Sequence, residues 1–532
     1  MAHDAHARVT AAPGRALRAI VSVVAGLALA FSFEPYDVPV LLPIGVAGLV
    51  WSLHRTTARS GAWIGLLGGA AFMFVHLFWM RSVGYDAWLM LSLLETSFFA
   101  PLGAAVAVLT RLPGWPLWTA AAWVTVEQWR GGWPFGGMPW GRLAYGTTDT
   151  PFAFALPYAG STGVSLLVAL VGTCLAWAVI AGRHRPRVLA GVAAALVVAT
   201  ALPVLLPYDA PRDGTARVAA IQGDVPGDGT DILFDHRGVT RNHVEETERL
   251  ADDVAAGRTQ QPDFVVWPEN ATAIDPFLDP ELNESITAAV SAVGVPILVG
   301  AIVEDPEPGK ILNQGIVWNP GTGAADRYSK RHPVPYGEYI PWRDSNPLTS
   351  RFDELARVAR DMQAGTRLEP LPIAGFRIAD AICFDIVYDD GLYAQVERGA
   401  QLLVVQTSNA TFIKTSQIDQ QFEITRVRAM ETGRDVVVAA TNGVAGVIAA
   451  DGTVVDRLAP QTQGYVEETV SLTDAVPPSI VAGRLLGWLL PVVALCALAV
   501  GLVAYRRRSG GGAASSASDH PSDEPVRQDA AR

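Results

Sequence analysis

Long apolar stretches fill most of the first 206 residues and return once near the end of the chain. The region between them alternates short β-rich runs with polar, helix-periodic segments. A bilayer span takes about 20 mostly apolar residues. Eight stretches meet that pattern, at 16–32, 38–54, 62–80, 86–110, 114–129, 163–181, 188–206 and 485–505. The fifth is the weakest, because Glu127 and Gln128 stand at its end. In the middle region, RVAAIQG (217–223), DFVVWP (263–268), PILVGAIV (296–303), NQGIVWN (313–319) and AADRYSK (324–330) predict strands. FRIADAIC (376–383), QLLVVQT (401–407), DVVVAAT (435–441) and GVIAAD (446–451) continue the series. Helical patterns cover 237–256, 279–294 and about 416–433, and the second opens on an acidic turn, as the helix dipole favours. Such alternation predicts an α/β fold whose helices cover a largely buried sheet.

The chain therefore divides into a seven-helix membrane region (1–210), a soluble domain (211–478), a last transmembrane helix (479–508) and a tail (509–532). The tail is rich in Gly, Ser, Ala and acidic residues, a composition that does not bury enough apolar surface to fold. The first apolar stretch, preceded by arginines and ending in ALAFS, also has the look of a signal peptide. Further spans follow it at once, which favours a membrane helix. Of the 532 residues 50% are hydrophobic and only 17% charged, against about 25% in average soluble proteins. The net charge of −12 argues against a nucleic-acid partner. Cys174 and Cys496 lie inside apolar stretches, so with Cys383 they suggest no disulfide framework.

Arginine placement predicts orientation, since cytoplasmic loops are enriched in Lys and Arg. With the N-terminus inside, the inner segments hold twelve arginines: Arg8, Arg15, Arg18, Arg55, Arg59, Arg111, Arg183, Arg185, Arg187 and Arg506, Arg507, Arg508. The outer loops hold three, Arg81, Arg130 and Arg142. Seven crossings then leave the soluble domain on the outer face and both termini in the cytoplasm.

Strand ends are where α/β folds place chemistry. FVVWPEN puts Glu269 just past a strand, behind a proline that stops the ladder. AADRYSK ends on Lys330, ahead of a proline-punctuated loop that carries Tyr336 and Glu338. IADAICFD ends on Cys383, followed by Phe384 and Asp385. Singly, each has an ordinary explanation: a loop carboxylate, a surface lysine, a small core thiol. Together they make a nucleophile, a base and a cation.

WPEN, YSKRHPVPYGEYIP and AICFD resemble the three signature blocks of the nitrilase superfamily. FSFEPYDVPVLLPIG, QWRGGWPFGGMPWGRLAYG, HPVPYGEYIPWR and SNATF (408–412) further resemble that superfamily's membrane-embedded branch, the bacterial apolipoprotein N-acyltransferases. The resemblance covers nearly the whole chain apart from its ends. It implies a nitrilase-like αββα sandwich inserted in a transmembrane bundle of eight spans, with Glu269, Lys330 and Cys383 as a catalytic triad. It departs from the usual pattern at Asp385, where Glu is customary, at Phe384, often Tyr or Trp, and at Leu233 and Phe234, where a tryptophan is expected nearby.

The implied reaction needs no cofactor and no metal. Cys383 attacks the ester of a membrane phospholipid, and the resulting thioester passes its acyl chain to the α-amine of a diacylglyceryl-modified apolipoprotein cysteine. Glu269 would be the general base and Lys330, with a backbone N–H near Phe384, the oxyanion stabiliser. Glu338 would orient Lys330 or serve as a second acid–base group. Asp385, Asn409 and Tyr336 are expected to support the site, and Asn409 could equally cap the turn in SNATF. The loop 131–141, rich in Gly, Trp and Pro, has an interfacial composition, and 342–365 reads either as a lid, whose helix carries Leu355 and Val358, or as an ordinary insertion. His76 and Glu95 lie inside spans with no role beyond packing. The alternatives are a membrane-tethered amidase that hydrolyses small amides, and a non-enzymatic scaffold or transporter. The number of spans counts against the first and the complete triad against the second.

Overall fold

The computed structural model describes residues 14–230, 235–345, 355 and 358–514. Leu233 and Phe234 therefore lie outside the described residues, as does most of 346–357 and the chain from 515. A helix stands at each of the eight expected apolar positions. These are α1 (Arg15–Ala30), α2 (Leu41–Leu53), α3 (Ala58–His76), α4 (Tyr85–Ser97) with α5 (Phe99–Leu109), α6 (Trp115–Gly132), α7 (Leu156–Ile180), α8 (Pro186–Leu205) and, at the end, Pro478–Ala514. The fourth stretch is split at Phe98. Among the described residues, five apolar stretches are long enough to cross a bilayer by length and composition: 58–76, 85–109, 153–180, 186–205 and 478–505.

The helices approach closely through small residues. A Cβ on Gly26, Gly65 or Gly103 would come within 2.1–2.2 Å of a carbonyl oxygen on a neighbouring helix. Such contacts replace the hydrophobic driving force that lipid surroundings remove. One buried charge pair lies inside the bundle. Arg130 on α6 bonds Glu95 on α4 at 3.1 Å, both fully buried, and also donates to the carbonyls of Met138 and Trp140. Glu95 thus helps to hold the loop 131–141, a role beyond packing.

The soluble domain runs β1 (Gly214–Gln222), α9 (His236–Ala255), β2 (Phe264–Val266), α10 (Pro280–Val293), β3 (Ile297–Glu304), β4 (Lys310–Asn319), β5 (Gly323–Ser329), β6 (Asp361–Met362), β7 (Leu371–Ile373), β8 (Phe376–Ile382), α11 (Asp389–Glu397), β9 (Leu402–Thr407), α12 (Gln417–Thr432), β10 (Val436–Ala440), β11 (Gly446–Ile448), β12 (Val454–Arg457) and β13 (Gly464–Leu472), before α13 (Pro478–Ala514). One sheet has the order β13-β1-β2-β3-β4-β5 with β6 beside β4, and the other β12-β11-β10-β9-β8-β7. Strand alternation turns Val218, Phe264, Val266 and Leu298 of the first sheet onto Ile378, Ile382, Val404 and Val437 of the second. The outer face of the first sheet packs Ala219, Val265 and Val299 on Leu250, Ile286 and Val290 of α9 and α10. Ala379, Leu403 and Val436 of the second pack on Ile424 and Val427 of α12, in a core continuous with the membrane helices. This is the αββα sandwich that the sequence predicts.

The domain sits on the bundle through α12 and the start of α11. Arg142, from the loop after α6, bonds Asp389 at 2.9 Å, and Arg428 of α12 bonds the same carboxylate at 2.8 Å and pairs with Glu431. Trp140 Nε1 donates to Gln420 Oε1 at 2.7 Å, and Tyr145 Oη to the Val387 carbonyl at 3.0 Å. This contact explains why α12 buries Gln420, which also donates to the Glu34 carbonyl at 2.8 Å, whereas Gln417 and Gln421 are buried against Asn409 and Thr407 within the domain.

Candidate active site

The two sheets bring four chain segments to one end of the sandwich. β2 delivers Glu269 past Trp267 and Pro268. Its main chain is fixed there by Thr441 Oγ1, which donates to the Glu269 carbonyl at 2.8 Å, and by Gly300, where a Cβ would stand 2.0 Å from the Pro268 oxygen. The Glu269 carboxylate is buried and fully partnered. Oε1 accepts from Asn313 Nδ2 at 2.8 Å and Lys330 Nζ at 3.0 Å, and Oε2 accepts from the Ser408 N–H at 2.8 Å.

Lys330 directly follows β5 and is 1% exposed. Besides Glu269, its ammonium donates to Glu338 Oε1 at 2.6 Å, while Glu338 Oε2 accepts from the Val334 N–H at 2.7 Å. Burial alone would lower the Lys330 pKa, but the two carboxylates outweigh it and hold the ammonium well above its usual value. Burial raises Glu338, against the pull of Lys330. The site's cation is therefore permanent.

Cys383 directly follows β8 with φ 52°, the left-handed region that an L-residue seldom occupies, and so departs from the strand direction. Burial, then the Glu269 charge, pushes its thiol up to about 12, with Lys330 and a hydrogen bond from Thr407 acting the other way. Thr407 Oγ1 accepts from Gln421 Nε2 at 3.0 Å, which leaves its own hydrogen for the sulfur. At neutral pH the site holds a thiol beside a carboxylate, so a base must remove the proton as the sulfur attacks.

Asp385 ties the turn after Cys383 to the segment after Lys330. Its carboxylate accepts from Tyr328 Oη at 2.9 Å, from the N–H groups of Arg331 and His332 at 3.2 and 2.8 Å, and from His332 Nδ1 at 3.1 Å. Burial opposes its ionisation, yet the bonds from His332 hold it below the usual carboxylate range. Phe384 stacks near Trp140, ring centroids 6.3 Å apart. Tyr336, at φ 63°, faces Phe135 across 6.0 Å, and Phe135 lies 5.1 Å from Trp342. The loops 131–141 and 334–342 thus meet through aromatic rings, with Trp133 and Trp342 exposed beside them.

The structure brings Glu269, Lys330 and Cys383, from three strand ends, together with Glu338 of the loop after Lys330. Asn409 stands apart from them: it precedes the short helical turn Ala410–Phe412 without a side-chain cap, and its amide donates to Gln417 and Gln421 at 3.0 and 3.2 Å. Asn313, Thr407, Ser408, Thr441 and His332 escape the sequence reading. Four of them sit inside or just after strands that read simply as core. His332 lies within the quoted YSKRHP block but carries no strand-end signal of its own.

Residues 25–174 match the family described as the apolipoprotein N-acyltransferase N-terminal domain, and residues 217–477 match the carbon-nitrogen hydrolase family. A protein of Mycolicibacterium smegmatis named apolipoprotein N-acyltransferase is 36% identical over 503 residues, 90% of this chain and 84% of its own. One of the same name from Methylococcus capsulatus is 28% identical over 92% of this chain and 96% of its own. Among solved structures, a mutant of the Nesterenkonia AN1 amidase from the nitrilase superfamily covers 51% of this chain and 95% of its own, with 16% identity and a TM-score of 0.35. Given its near-full-length relatives and both matching halves, this chain belongs to the apolipoprotein N-acyltransferase family.

Proposed function

We propose that the chain N-acylates lipoproteins through a thioester on Cys383. Glu269 takes the thiol proton as Sγ attacks the ester carbonyl of a phospholipid. The tetrahedral intermediate collapses with loss of the lysophospholipid alkoxide, which receives that proton from Glu269. The α-amine of the N-terminal diacylglyceryl-cysteine then attacks the thioester and gives up a proton to Glu269; collapse forms the amide and releases the Cys383 thiolate, which takes that proton back from Glu269. Two of the three Lys330 ammonium hydrogens go to carboxylates, which leaves the third for the developing oxyanion. The first N–H groups of the turn Cys383–Val387, Phe384 among them, have no partner within that turn and can share the load.

The observation that carries this reading is the buried Glu269–Lys330–Glu338 cluster acting electrostatically on Cys383, on a domain seated against membrane helices. Water competes for any thioester, so a transferase gains from a site reached out of the bilayer. The exposed Trp133 and Trp342 suit the headgroup level. The full arrangement has eight spans, the catalytic domain (211–478) on the outer face between the seventh and eighth, and both termini in the cytoplasm. The arginine bias supports it.

The test is intact mass after incubation with phospholipid vesicles. Wild type should gain one fatty acyl chain, labile to hydroxylamine and discharged by a diacylated lipopeptide; Cys383→Ser should not. Folded protein that never gains mass, yet releases ammonia from small amides, would replace this reading with the tethered amidase.

A further inference from the structure

The proposed reaction makes no use of Asp380, a fully buried carboxyl three residues before the nucleophile on the same strand. β8 alternation points it into the space between the sheets, among Ile378, Ile382 and Leu298. Gln395 clamps its main chain, accepting from the Asp380 N–H at 3.1 Å and donating to its carbonyl at 3.0 Å. Neither side-chain oxygen has a partner, and neither does Oε1 of Gln406 on the adjacent β9. The two groups converge over Gly315 of the facing sheet. A Cβ there would stand 2.3 Å from Asp380 Oδ2 and 2.4 Å from Gln406 Oε1, so the oxygens are at most about 4.7 Å apart. The other end of Gln406 is committed: Nε2 donates to the Trp267 carbonyl at 2.5 Å.

Two acceptor oxygens turned toward each other in a dry core repel unless one carries a proton, and an unpaired buried carboxylate costs far more than a neutral acid. The charge acting on Asp380, that of Asp385, has the same sign. We propose that Asp380 is a protonated positioning residue whose hydroxyl donates to Gln406 Oε1, completing a polar tie from the Cys383 strand through β9 to the Glu269 strand. The string is Asp380 O–H to Gln406 Oε1, then Gln406 Nε2–H to Trp267 O. Its middle member is followed directly by Thr407, which bonds the thiol, and by Ser408, whose N–H holds Glu269. The tie thus helps to set how far the nucleophile's strand end stands from the base's, deeper in the core than the bonds that Ser408 and Thr441 make to Glu269.

The proposal rests on the catalytic reading of Cys383 and Glu269, but its first test does not. Infrared difference spectra of wild type and Asp380→Asn at neutral pH should show the carbonyl stretch of one protonated carboxylic acid lost in the variant. Absence of that band would overturn the proposal whatever the activity. The carboxamide introduced by Asp380→Asn offers an N–H in place of the O–H, so this variant should keep acyl transfer within about threefold of wild type. Asp380→Ala removes the donor and should lower kcat roughly a hundredfold with KM little changed, as for a misplacement of about 1 Å between reacting groups. An Asn variant as inactive as the Ala variant would show that the carboxyl acts as a charge and would refute the tie. Should Asp380→Ala fail to fold, the infrared band and the Asn rate still decide. If wild type itself forms no acyl-enzyme, the catalytic reading fails while the spectroscopic result stands.

Discussion

Replacing His332 by glutamine removes a charge that joins three parts of the site. Its Nδ1 lies 3.1 Å from Asp385, its Nε2 3.2 Å from Asp390, and its ring stacks on Tyr388 with centroids 3.8 Å apart. Burial alone would lower its pKa, but the bonds to the two aspartates prevail and lift it from 6.5 to about 9. At about 1.4 kcal/mol per pH unit, the rise from 6.5 to about 9 sets a ceiling near 3.5 kcal/mol. Because the folded protein holds this proton more tightly than the unfolded chain, the stabilisation is complete below about pH 6.5 and is lost as pH rises through about 9. Glutamine keeps one N–H donor and no charge. In detergent at a fixed scan rate, wild type should melt above the variant by up to roughly 10 °C at about pH 6, and the two should converge by about pH 10. A gap that stays constant with pH, or widens on the alkaline side, would refute the assignment of a charged imidazole between two carboxylates.

Lys330→Met should lower acyl transfer to a lipopeptide roughly 100- to 1,000-fold, as the loss of an oxyanion donor does. It should also cost about 3–5 kcal/mol in thermal or denaturant unfolding, because Glu269 and Glu338 are left buried without their cation; unchanged stability would contradict the buried ion pairs. Gly300→Ala places a Cβ 2.0 Å from the Pro268 oxygen and 2.8 Å from the Glu269 Cα. The backbone must yield, at about 1–3 kcal/mol, and the base moves with it. Thioester formation measured by intact mass should slow sharply in this variant, and a normal rate would mean that the position of Glu269 is not critical.

Much of the site is legible in the sequence because a strand end is a local event. Glu269 and Cys383 close apolar runs and Lys330 closes the more polar AADRYS, and all three runs are read as strands from period and composition. Their partners are not legible. Asn313 lies within NQGIVWN and Thr407 within QLLVVQT, runs that announce a strand but not which face meets the site. Asp385 reads as a shortened substitute for glutamate, yet in place it takes four donors from the Lys330 side of the site. The shorter side chain is matched by the approach of that segment, which no spacing in the sequence records.

The limits of the secondary structure have the same origin. β13 is absent from the predicted strands, although GYVEETVSL alternates; it pairs with β1 over nine residues from Gly214–Leu472 to Gln222–Gly464, and only that distant partner makes it a strand. α11 is nine residues long, too short to stand on propensity, and is held by Asp389 in its first turn gripping Arg142 and Arg428. The sixteen-residue α1 and the charged α6 belong with the membrane helices through packing rather than through apolar length. The sequence by itself determined where the apolar helices, most of the strands and the three reactive side chains fall, because hydrophobic period and chain-end chemistry act over a few residues. The tertiary structure alone decided which carboxylate meets the lysine, how high the thiol's pKa stands, and which polar side chains could be buried. Most of those depend on groups that sequence separates by tens to hundreds of residues and that folding brings together in a medium from which water is excluded.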